Sequence, residues 1–83
     1  MEIRDADTPL LRLRGLLGHR RPPGYALRLA PCGCVHTFGL PFSLELRWFD
    51  ANGKLLRVDG HVPPWRVRWC RGARSVVEVP LPR

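Results

Sequence analysis

The stretch Leu44-Glu45-Leu46-Arg47-Trp48-Phe49-Asp50-Ala51-Asn52-Gly53-Lys54-Leu55-Leu56-Arg57-Val58-Asp59 holds two patterned runs joined by turn residues. Leu44, Leu46 and Trp48 alternate with Glu45, Arg47 and Phe49, the two-residue period of a strand with one buried face. Asn52-Gly53 sits between the runs, and both residue types tolerate positive φ, so the stretch predicts a β-hairpin.

The same reading extends in both directions. Gly60-His61-Val62-Pro63-Pro64 breaks the pattern. Trp65, Val67 and Trp69 then alternate with Arg66, Arg68 and Cys70. This is a further strand, with its Trp65–Val67–Trp69 face expected in the core and Arg66 and Arg68 solvated. After Arg71-Gly72-Ala73-Arg74, residues Ser75 to Val79 read as a last strand, which Pro80-Leu81-Pro82 does not extend. Toward the N-terminus, Val35 to Pro41 reads as a short strand entering a bend, Pro31-Cys32-Gly33-Cys34 as an interruption, and Tyr25 to Ala30 as a strand. Thr8-Pro9 ahead of Leu10, Leu13, Leu16 and Leu17 is a capped helix start, and Gly18 is its stop. The expectation is one domain over residues 1–83: mostly β, a small antiparallel barrel or sandwich of five or so strands, with one short N-terminal helix covering an opening.

The chain has 83 residues, with 14 Lys+Arg against 7 Asp+Glu and a net charge of +7. A domain this small buries a modest core, which disfavours a deep multi-part active site. The cations are 13 arginines and Lys54. A phosphate-reading surface normally uses both types, so the skew reads first as compositional and only second as nucleic-acid binding. No apolar run is long enough to span a membrane. Met1 to Asp7 lacks the features of a signal peptide, so a cytoplasmic location is expected. Three cysteines are an odd count, which fits reduced thiols.

Several segments occur in one order: Leu13-Arg14-Gly15-Leu16-Leu17-Gly18, His36-Thr37-Phe38-Gly39-Leu40, Phe42-Ser43-Leu44-Glu45-Leu46, Trp48-Phe49-Asp50 with Gly53, and Val76-Val77-Glu78-Val79. Over residues 8–79 this series resembles the bacterial and archaeal family called domain of unknown function 192. The resemblance implies a jelly-roll-like β fold and no particular reaction, and the family includes exported members. Glu45 stands where the family usually has Asp, and Leu40 where it has Met. The family's closing strand is absent after Arg83, from which an unpaired edge, and a homodimer or partner across it, is expected.

Three constellations are candidates for chemistry. His36, Thr37, Phe38, Glu45 and Asp50 would line a shallow cleft for a ligand or protein partner, with His36 and Glu45 as an acid/base pair in the enzymatic version. Their structural reading has His36 and Thr37 satisfying a bend, Glu45 paired with Arg47 or Arg57, and Asp50 capping the hairpin. Cys32, Cys34 and His36 would share one side of an extended segment and, with Cys70, offer a Cys₃His set for zinc. The gap between Cys32 and Cys34 is tight for that, and the alternatives are buried thiols or a disulfide to Cys70. Trp65, Arg66, Arg68 and Trp69 interleave aromatics with cations, as surfaces that stack on single-stranded bases or sugars do. The reading that follows is a non-enzymatic binding module with no cofactor; nucleic-acid or carbohydrate binding and a small metal-dependent or acid/base enzyme are the alternatives.

Overall fold

The computed structural model describes residues 1–6 and 20–82. The helix expected between Thr8 and Gly18 lies outside them. The described residues form seven strands: β1 (Glu2–Asp5), β2 (Tyr25–Leu29), β3 (Cys34–His36), β4 (Leu44–Phe49), β5 (Leu55–Val62), β6 (Val67–Trp69) and β7 (Ser75–Pro80). Five make one sheet in the order β1-β2-β7-β4-β5, and β3 and β6 make a separate ribbon. Among the described residues no closed barrel forms: the five-stranded sheet is open, with β1 and β5 at its ends. The pairing is also mixed rather than wholly antiparallel. Glu2 to Asp5, a stretch too short and polar to read as a strand, pairs in parallel with Tyr25 to Arg28. No helix among the described residues is long and apolar enough to cross a membrane.

Cross-strand register decides which side chains face inward. Leu46 lies opposite Glu78 and Trp48 opposite Val76, while on the next strand Leu27 and Leu29 lie opposite the same two β7 residues. Partners on paired strands share a face, so Leu27, Leu29, Leu44, Leu46, Trp48 and Val76 form one apolar surface. Leu40, Phe42, Val62 and Cys70 close over it, and Val35 of the ribbon packs against it. The inward alternation read for Leu44, Leu46 and Trp48 is therefore what the fold uses, each being fully buried.

The alternation read for Trp65, Val67 and Trp69 points the other way. These residues are 67%, 39% and 66% exposed. The reason is architectural. Only three residues of this segment are in a strand, and the ribbon directs Val35 and Arg68, a register pair, toward the body of the protein. Their neighbours on β3 and β6 must then face outward. Val67 is accordingly a surface residue rather than a core one.

The hairpin forms where expected, with a different turn. Asp50 N–H bonds the Lys54 carbonyl at 2.9 Å, and Gly53 N–H bonds the Asp50 carbonyl at 3.1 Å. Only Gly53 has positive φ, at 79°. This is a three-residue loop ending in a left-handed glycine, so Asn52 needs no unusual backbone. Asp50 Oδ1 accepts the N–H groups of Asn52 and Lys54, both at 2.9 Å, which is the capping role read from its position.

Candidate functional site

The outward face of the ribbon is the chemically richest surface. In the β3–β6 register Cys34 is opposite Trp69 and His36 opposite Val67, so these four side chains share one face. His36 and Phe38 have ring centroids 5.2 Å apart. Phe38 in turn stacks on Trp65 at 5.7 Å with an interplanar angle of 29°. A run of rings, His36–Phe38–Trp65, thus borders the ribbon, with Trp69 at its far end. All four rings are exposed.

Thr37 is the anchor beneath this surface. It is fully buried. Its hydroxyl donates to the Pro63 carbonyl at 2.7 Å and accepts the Arg66 N–H at 2.9 Å. Its own carbonyl accepts the Trp65 N–H at 3.3 Å. Trp65 has φ of 65°, a left-handed conformation that costs a bulky residue of order 1–3 kcal/mol. The bonds from Thr37 hold residues 63–66 around that strained residue and so set the direction of its ring. Thr37→Val keeps shape but removes the hydroxyl. It should cost about 1–3 kcal/mol of stability, measured by thermal or denaturant unfolding, because the Pro63 carbonyl and Arg66 N–H lose their partner.

His36 is exposed, and its Nδ1 accepts the Phe38 N–H at 3.2 Å. With Nδ1 as the acceptor of that bond, Nε2 is the ring's donor. Arg66 and Arg68 place guanidinium groups near their own chain: Arg66 Nη1 donates to the Trp65 carbonyl at 3.3 Å, and Arg68 Nη1 to the Val67 carbonyl at 2.9 Å. Between β5 and β6 lies an open cleft of about 410 Å³ lined by Arg57, Asp59, Val67, Arg68 and Trp69. Arg57 spans it: Nη2 donates to the Trp69 carbonyl at 2.6 Å and to Asp59 Oδ2 at 3.1 Å. Asp59 Oδ2 also accepts the indole N–H of Trp48 at 2.9 Å. The charged floor of the cleft is thereby tied to the core.

The other expected groupings are not assembled. His36, Thr37 and Phe38 adjoin one another. Glu45, however, alternates with the buried Leu44 and Leu46 and so lies on the far face of the sheet, where Arg47 Nη2 holds its carboxylate at 2.9 Å. Asp50 sits at the β4–β5 turn. Among the described residues His36 and Glu45 lie on different surfaces and do not meet as an acid/base pair. The Cys₃His set is also dispersed. Cys70 is buried in the core, Cys34 is exposed, and Cys32 turns its thiol to the Cys34 carbonyl at 3.2 Å. Among the described residues no group of three or more His, Cys, Asp or Glu side chains converges as a metal site.

Arg57 and Asp59 of the cleft were legible as hairpin residues only; nothing in their spacing shows that β6 crosses near them. No family model, curated protein or solved structure matches the chain.

Proposed function

We propose that this protein is a non-enzymatic binding module that holds single-stranded nucleic acid on the aromatic face of its β3–β6 ribbon. The observation that carries this reading is the exposure of Trp65 and Trp69, at 67% and 66%, on one surface with Phe38 and His36. Exposed rings beside arginines suit bases that stack and phosphates that pair with guanidinium groups. Arg66, exposed beside Trp65, supplies such a cation, and the net charge of +7 draws a polyanion toward the surface. A neutral carbohydrate would use the rings and leave Arg66 without a role. A shallow, open surface fits binding better than catalysis. This reading takes the chain as a small cytoplasmic module, and the likeness to the domain of unknown function 192 family supports its jelly-roll-like character.

The test is anisotropy of labelled oligodeoxythymidine titrated at low salt. Binding is expected, with a log–log salt slope of about −0.7 for each phosphate that an arginine contacts. Trp65→Gly removes the ring and relieves the strained backbone, so the fold persists while affinity falls about 5- to 150-fold, the range for one lost base stack. Absence of binding at low salt, or affinity indifferent to Trp65 and Trp69, overturns the reading.

A further inference from the structure

The end strand β5 carries an inference that does not depend on what the ribbon binds. Its backbone polarity follows from the neighbouring ladders. The Phe49 carbonyl accepts the Arg74 N–H at 2.8 Å, away from β5, whereas Asp50 N–H bonds Lys54. Alternation along β4 then turns the backbone groups of Trp48 and Leu46 toward β5. Trp48 is opposite Arg57 and Leu46 opposite Asp59. Arg57 and Asp59 therefore spend their backbone groups on β4, and Val58 between them directs its N–H and C=O to an edge that no described strand pairs. The edge is also apolar: Leu55, Leu56 and Val58 are 48%, 42% and 44% exposed. An open apolar edge is a template for another strand.

We propose that the occupant of this edge is β5 of a second copy, paired antiparallel about Val58 in a two-fold dimer. The charge pattern selects this partner. With Val58 opposite Val58 of the copy as the hydrogen-bonded pair, Arg57 falls opposite Asp59 of the copy, and Asp59 opposite its Arg57. These are close, non-hydrogen-bonded positions where opposite charges attract. Within one chain the bonds of this pair use Arg57 Nη2 and Asp59 Oδ2. Arg57 Nε and Nη1 and Asp59 Oδ1 take no part in these bonds and are the groups left for the copy. A two-fold interface needs such self-complementarity, and it closes at two copies. The axis runs through the sheet, so two five-stranded sheets become one, with both ribbons on the same side.

Sedimentation equilibrium at protein concentrations up to about 0.1 mM, a range that detects a weak dimer, decides the matter. The expected mass is twice the 9.5 kDa of the chain. Val58→Lys, at an exposed position, sets two like charges opposite each other and should halve the mass while leaving the circular dichroism spectrum of the folded chain unchanged. Arg57→Asp should also give a monomer by facing Asp59 of the copy. The double exchange of Arg57→Asp with Asp59→Arg should restore the dimer. A monomeric wild type, a dimer indifferent to Val58→Lys, or a folded double exchange that stays monomeric overturns the proposal. Oligonucleotide affinity of the Val58→Lys monomer separates this result from the ribbon reading, since a single ribbon still offers its rings.

Discussion

Glu78→Gln is expected to stabilise the protein by about 3 kcal/mol at pH 8 and to change little at pH 4. Glu78 sits on β7, the middle strand of the sheet, opposite Leu27 on one side and Leu46 on the other. No ion pair engages it among the described residues. Burial alone pushes its carboxyl from the ordinary 4.5 up to about 7. The folded state therefore favours the protonated acid. Below about pH 4.5 both states hold the proton, and the residue is neutral to stability. Between about 4.5 and 7 the folded chain keeps a proton that the unfolded chain has released, so stability falls as pH rises. Above that range both are ionised and the full penalty stands, about 1.4 kcal/mol per pH unit of the gap. Urea unfolding of wild type and Glu78→Gln across this range checks it. Parallel stability curves for the two proteins would refute the buried acid.

Leu46→Ala is expected to cost about 2–5 kcal/mol, and Val67→Ala less than about 1 kcal/mol. Leu46 is fully buried on the central part of the sheet, and its truncation leaves a cavity beneath the ribbon. Val67 is 39% exposed, and its truncation leaves none. Denaturant midpoints of the two variants measure the contrast directly. Equal losses would place Val67 in the core and remove the aromatic surface.

That contrast marks where periodicity stops being informative. Leu44-Glu45-Leu46-Arg47-Trp48 and Trp65-Arg66-Val67-Arg68-Trp69 carry the same alternation. The first lies in a strand with neighbours on both sides, where the apolar face can only turn inward. The second lies in a two-stranded ribbon, where Val35 and Arg68 face inward and the large rings are left outside. Alternation fixes that two faces differ; which one is buried depends on what lies above them. The same distinction explains Glu78. Its strand was legible in Val76-Val77-Glu78-Val79, but Glu78 faces the core because its register partners are Leu27 and Leu46. His36, Thr37 and Phe38 were legible as a cluster because they are adjacent in sequence. Their link to Trp65 runs through the Phe38 ring and the Thr37 carbonyl, while the Thr37 hydroxyl reaches Pro63 across 26 residues; no local pattern encodes these contacts.

The placement of the three indoles has a practical consequence for anyone studying the protein in solution. Trp48 is sealed from water with its N–H held by Asp59, whereas Trp65 and Trp69 are wet. The emission spectrum should therefore hold a blue component that reports denaturation and a red, iodide-quenchable component that reports occupancy of the ribbon. One cuvette can follow both events without a label.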